Sequence, residues 1–246
     1  MSNRHIFRLS GSDTYSFLQG LVTNDVDGLA HGLVYAALLT PQGKYISDFF
    51  LAPDGDAVLL DAHADHADML RQRLSMYKLR ANVTLEDSAR HMHRGLGHPP
   101  EDGFADPRHT ELGWRAYRDT PQADDDTDWT ALRVKHLIPE TGVELTPNTF
   151  ILEVGFEALH GVDFRKGCYV GQEVTARMKH KTTLRKGLAQ VDVLGDAETG
   201  TEIVADGKAA GTLLSRAGDR AIAYLRFDRA VGSMQAGNAT VTRSEG

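Results

Sequence analysis

The sequence predicts an α+β fold: small, mainly antiparallel sheets with packed helices, followed by a C-terminal antiparallel β-barrel. Three observations predict it. The first ninety residues alternate strand and helix signals in the order β-α-β-β-β-α-β, which suits helices packed on one face of an antiparallel sheet. From Gly187 onward, short alternating runs with tight turns and almost no helical periodicity indicate a small antiparallel barrel. The length of 246 residues, with 41% apolar and 25% charged residues, suits one or two soluble domains with a substantial core.

Each element has a local cause. Ile6, Phe7 and Leu9 mark a first strand. Ser12 is placed to cap a helix through Tyr15, Phe17 and Leu18, with Gly20 as its stop. Extended runs follow over Leu33 to Leu39, Lys44 to Leu51 and Ala57 to Asp61, separated by Thr-Pro-Gln-Gly and Pro-Asp-Gly-Asp turns. Ala67, Leu70, Leu74 and Tyr77 have the spacing of a helix with one buried face over Ala64 to Lys78, and Asn82 to Glu86 alternates as a closing strand. Between His91 and Asp128 the pattern weakens, leaving a strand over Trp114 to Tyr117 and no histidine spacing that specifies a metal site. The Asp124 to Asp126 run reads as a solvated loop leading to Asp128, the cap of a helix through Leu132, Val134 and Leu137. Barrel strands are expected over Gly187 to Val193, Thr201 to Ala205, Lys208 to Ser215 and Arg220 to Arg226, with Asp206-Gly207 as a two-residue hairpin turn. The expected division is 1–185 and 186–246, with a possible subdivision near 90.

Function classes narrow by composition. No apolar run reaches the ~18 residues that cross a bilayer. No apolar signal core opens the chain, and a single cysteine fits a reducing compartment, so the expectation is cytoplasmic, with no membrane partner. Net charge is −7, yet Arg165 to Lys186 carries seven cations against one acid, Glu173. A basic stretch in an acidic chain points to an anionic ligand. Within it lies the only cysteine, Cys168, in Arg165-Lys-Gly-Cys-Tyr-Val-Gly-Gln-Glu173. One thiol forms neither an internal disulfide nor a multi-cysteine metal centre, and flanking cations favour its thiolate. The segment joins the α+β part to the barrel, a common place for a ligand site.

These motifs resemble a known family. Lys166-Gly-Cys-Tyr-Val-Gly-Gln-Glu173 resembles the signature of the YgfZ group of folate-binding proteins, relatives of the aminomethyltransferase (T-protein, GcvT) of the glycine cleavage system. Val174 to His180, with Arg185-Lys186, looks especially like the mitochondrial iron–sulphur assembly factor of that group. Phe17 to Asp25, the hairpin from Tyr35 to Asp48, and Arg133 with Ile138-Pro139-Glu140 resemble further blocks in the same order.

The resemblance implies a GcvT-like cloverleaf of small α+β subdomains plus a barrel, binding tetrahydrofolate or a derivative. It implies a role in assembling or repairing iron–sulphur clusters in client enzymes, including tRNA-modifying ones, with client or assembly proteins as partners. Carried over by motif position, Cys168 is the functional thiol, Lys166, Tyr169, Gln172, Glu173 and Arg177 build its surroundings, and Asn24, Asp25 and Asp48 lie near the folate. One departure is Ser47-Asp48, where the transferase has paired aspartates. That puts in doubt a folate-dependent aminomethyl or one-carbon transfer, the alternative reading. An RNA-binding module is a further alternative, but interleaved aromatic platforms are missing and direct nucleic-acid binding is not expected.

Overall fold

In the computed structural model, residues 3–124, 126–181 and 183–244 are described. The chain divides into two compact units. One comprises Met1–Asp125 and Glu157–Val174, the other Asp126–Phe156 and Thr175–Gly246.

The first unit is built on a five-stranded antiparallel sheet of order β2-β3-β4-β1-β5. Its strands are β1 (Arg4–Ser10), β2 (Val34–Leu39), β3 (Tyr45–Asp54), β4 (Ala57–His63) and β5 (Thr84–Asp87). Helices α1 (Thr14–Gln19) and α2 (Ala67–Lys78) supply Leu18, Leu70 and Leu74 to the same core as Phe7, Leu9, Ala36, Leu38, Phe49, Leu51, Val58 and Leu60. These strand residues alternate in sequence, so they share one face of the sheet. Each fully buried Leu or Phe stabilises by about 1.5–3 kcal/mol, and a one-residue register slip would turn that face to the wrong side. The cap of α1 differs from expectation. Asp13, not Ser12, occupies the cap position, and its carboxylate accepts from the Asn82 backbone at 2.8 Å, tying the helix start to the approach of β5.

A second, three-stranded sheet follows in the first unit, where the sequence pattern was weak: β6 (His91–Gly95), β7 (Gly103–Ala105) and β8 (Trp114–Arg118), in the order β6-β8-β7. Among the described residues no group of His, Cys, Asp or Glu is arranged to hold a metal.

In the second unit, α3 (Trp129–Lys135) is capped by Asp128, which accepts from Ala131 N at 2.9 Å. Helix α4 (Gln172–Lys181) was not anticipated, because its only fully buried residue is Thr175 and its apolar periodicity is weak. The barrel closes in the order β10-β11-β12-β9-β14-β13. Its strands are β9 (Lys186–Leu194), β10 (Glu202–Ala205), β11 (Lys208–Ala217), β12 (Arg220–Arg226), β13 (Ser233–Ala236) and β14 (Ala239–Arg243). The last two went unread in the sequence. Alternate residues Val191, Val193, Leu213, Ala221, Ala223, Leu225 and Val241 fill the interior. A buried carboxylate, Glu144, fastens the segment before the barrel to β11. It accepts from Ser215 N and Glu140 N, each at 3.0 Å, while Arg133 donates to Ser215 Oγ at 3.0 Å and to Ile138 O.

Candidate functional site

The Cys168 segment is held from both sides. Lys166 is buried, and its ammonium donates to the carbonyls of Gln19 at 2.8 Å, Val22 at 2.6 Å and Asn24 at 2.9 Å. Three donors meet three acceptors, so the cation is fully used. Burial pulls its pKa down to about 8, against the opposing pull of Asp25 and Asp163. Tyr169 is also buried, its ring centroid 5.3 Å from the Lys166 ammonium. Between these two anchors Gly167 and Cys168 project outward, and the thiol is exposed.

The loop beneath Lys166 contains Asn24 and Asp25. The Asn24 amide donates to Tyr35 O at 2.8 Å and His160 O at 2.7 Å, and its side-chain oxygen accepts from Asp25 N. Asp25 accepts from Gln19 Nε2 at 2.9 Å and from Asp27 N at 3.1 Å, capping the short 3-10 turn Val26–Ala30. In this structure both side chains position backbone.

Asp48 lies on β3, on the sheet face away from the α1/α2 core, and is buried. Its carboxylate accepts from Tyr45 Oη at 2.7 Å and Tyr35 Oη at 3.0 Å. Burial, then the nearby Asp48 charge, holds the Tyr35 phenol far above its ordinary pKa. On the same face three guanidiniums surround the Phe50 ring: Arg115 at 3.9 Å from its centroid, Arg108 at 4.7 Å and Arg4 at 5.9 Å. Asp61 pairs with Arg4 at 2.6 Å and Arg115 at 3.3 Å, and Asp106 with Arg108 at 2.8 Å and Arg115 at 3.1 Å. Burial alone would raise Asp106, but Arg108 and Arg115 hold it well below the carboxylate range. Ser47 is fully buried, with its hydroxyl 3.1 Å from His66 Nδ1.

The glycines of the cysteine segment differ. Gly171 sits at φ +85°, where an added Cβ would lie 2.7 Å from Thr40 O, and a Cβ on Gly43 would lie 2.9 Å from Val174 Cβ. The two glycines let the segment seat backbone to backbone on the β2–β3 turn. Gly167 meets nothing within 4 Å. Gln172 opens α4 with a long 3.4 Å contact to Gly167 O, and Glu173 and Arg177 are exposed one turn apart on one helix face. Thus Lys166, Tyr169, Asn24 and Asp25 converge on one loop, and Tyr35 links that loop to Asp48. Arg177 belongs to the second unit.

The second unit holds a cavity of about 250 Å³ lined by Glu153, Met178, Leu184, Arg185, Lys186 and Arg226, among others. Glu153 is buried and accepts from Tyr224 Oη at 2.6 Å, with Lys186 Nζ 3.8 Å from its other oxygen. Burial and this bond to Glu153 raise the Tyr224 pKa. Glu153 escaped the sequence reading; its signal was a lone acid in the apolar run Ile151-Leu-Glu-Val154. The chemistry of the wall is a buried acceptor beneath a cationic rim.

Residues 185–245 match the CAF17 C-terminal beta-barrel domain. The mouse mitochondrial iron–sulphur cluster assembly factor IBA57 is 30% identical, over 95% of this chain and 78% of its own length. The chain belongs to the IBA57 family. The mitochondrial IBA57 homologue of Pyricularia oryzae is 31% identical over 76% of this chain. The chain matches only 54% of that relative's length, about half. The glycine cleavage aminomethyltransferase T of Bartonella henselae superposes with a TM-score of 0.79 at 14% identity, covering 99% of this chain and 83% of that one. At that identity the likeness concerns the fold, and it agrees with the GcvT-like α+β and barrel architecture expected from the YgfZ-type motifs.

Proposed function

We propose that this chain assists iron–sulphur cluster assembly or repair, binding tetrahydrofolate and using Cys168 as a transient ligand for cluster iron. One observation carries it: an exposed thiol displayed between two buried anchors, Lys166 and Tyr169. The names of the IBA57 relatives support the coarser part of the reading. On binding iron the thiol gives up its proton, and the sulphur–iron bond must break again on transfer. The anchors keep the segment's backbone fixed while the sulphur stays accessible. Client or assembly proteins, tRNA-modifying enzymes among the clients, are the proposed partners. The cytoplasm is the proposed location, although the relatives compared above are named mitochondrial.

The residues around the second-unit cavity fit a folate. Glu153 can accept from the N–H edge of a pterin, and Arg185, Lys186 and Arg226 can pair with glutamate carboxylates. When bound, tetrahydrofolate would supply a reduced ring able to carry a one-carbon unit. Asp48 remains the proposed acid of the first unit, with Tyr35 and Tyr45 fixing its orientation. Aminomethyl transfer is not favoured, because Ser47, which stands in place of a second acid, is buried against His66.

The test is complementation of a deletion strain, scored by the activity of a cluster enzyme. Cys168→Ser is expected to fail; full rescue would remove the thiol from the reading. Calorimetric titration with tetrahydrofolate, using wild type, Glu153→Gln and Arg177→Ala, addresses the ligand separately. Weaker binding by Glu153→Gln is expected, and no binding by wild type would remove the folate.

A further inference from the structure

Helix α2 ends in an unusual turn. Leu79 has φ +45° and ψ −104°, and Ala81 N closes the turn onto Lys78 O at 2.8 Å. This is the first central position of a type II′ turn, which favours glycine. A leucine here is strained, and burial does not compensate, because Leu79 is 87% exposed. One turn earlier Met76 is also exposed, at 57%. The fold therefore holds two apolar side chains in water at one helix end.

The charge around them is one-sided. Residues 69–82 contain Arg71, Arg73, Lys78 and Arg80 and no acid, in a chain of net charge −7. Arg71 is paired with Asp87 on β5 and lies over the Phe7 ring. Lys78 and Arg80 flank the exposed leucine directly. Asp13, near this end of the helix, accepts from the backbone of Asn82.

We propose that this turn docks on an anionic lipid surface, Leu79 entering the apolar layer while Lys78 and Arg80 meet headgroup phosphates. A single apolar knob between cations needs no shaped socket. Insertion of apolar side chains and attraction of basic ones to anionic headgroups add in such peripheral binding. This is surface docking, distinct from crossing: among the described residues no helix is long and apolar enough to span a membrane. It departs from the sequence expectation of no membrane partner, since the strained, exposed conformation of Leu79 is visible only in the fold.

The test is flotation of the full chain with phosphatidylcholine vesicles, with and without about 30% phosphatidylglycerol. Wild type should float with the anionic vesicles alone, and salt should release it. Leu79→Gly should lower the bound fraction roughly tenfold while raising the melting temperature, since glycine accepts the positive φ. Lys78→Glu with Arg80→Glu should lower it similarly without that rise in melting temperature. The lipid reading falls if wild type ignores both vesicles, which would leave a protein socket as the occupant. It falls equally if Leu79→Gly floats as well as wild type.

Discussion

The Lys166 ammonium lies 2.9 Å from the carbonyl oxygen of Asn24, so a cation two residues from the exposed thiol is fixed to the backbone of a distant loop. With Gln19 and Val22 it forms a three-carbonyl clasp. Lys166→Met should leave buried carbonyls without donors and destabilise by about 2–4 kcal/mol in urea unfolding. Arginine should not rescue it, because a planar fork cannot match three converging acceptors.

The same residue sets a pH signature. Burial lowers Lys166 to about 8 from 10.5. Between these values the unfolded chain holds a proton that the native chain has released, so this residue's contribution to stability rises with pH across the window. Urea midpoints should show that upward slope in wild type and lose it in Lys166→Met.

Asp106 acts on the acid side. Its folded pKa is depressed by Arg108 and Arg115, so its stabilisation is complete above the ordinary value of 3.8 and disappears as pH falls below it. Asp106→Asn should cost about 3–5 kcal/mol near neutral pH by leaving buried guanidiniums uncompensated. It should also flatten the acid limb, measured by thermal unfolding from neutral to acid pH.

Gly171 and Gly167 offer a matched pair. Gly171→Ala places a Cβ 2.7 Å from Thr40 O at a positive φ and should destabilise by about 1–3 kcal/mol. Gly167→Ala meets open space and should stay within about 0.5 kcal/mol. Thermal unfolding checks the energies. Maleimide labelling of Cys168 should accelerate only in Gly171→Ala, as the segment lifts from the β2–β3 turn.

Tyr224→Phe removes the donor to buried Glu153 and should destabilise by about 1–3 kcal/mol. Without that donor the Glu153 carboxylate loses the hydrogen bond that fixes its orientation in the cavity wall. Tetrahydrofolate binding should therefore weaken relative to wild type, as read by calorimetry.

Much of the fold was readable locally. Leu70 and Leu74 repeat at helical spacing and lie buried on α2, and Asp206-Gly207, both at positive φ, turn β10 into β11 as the dipeptide implies. Strands β6 and β7 were not readable, since His91, His93 and Gly103 lack an apolar alternation and owe their pairing to β8. Helix α4 was missed because charge dominates its surface. Asp124 and Asp126, in the loop read as solvated, are described, whereas Asp125 lies outside the described residues.

The sequence by itself determined the α+β body, the barrel, the lone thiol and the motifs that mark the family, because periodicity, turn chemistry and residue identity are local properties. Only the tertiary structure decided what the polar residues touch. Lys166 binds carbonyls more than 140 positions away, Glu153 meets Tyr224, and Leu79 stands in solvent at a strained φ. Hydrogen bonds and burial depend on which backbone arrives beside a side chain, and chain folding alone sets that.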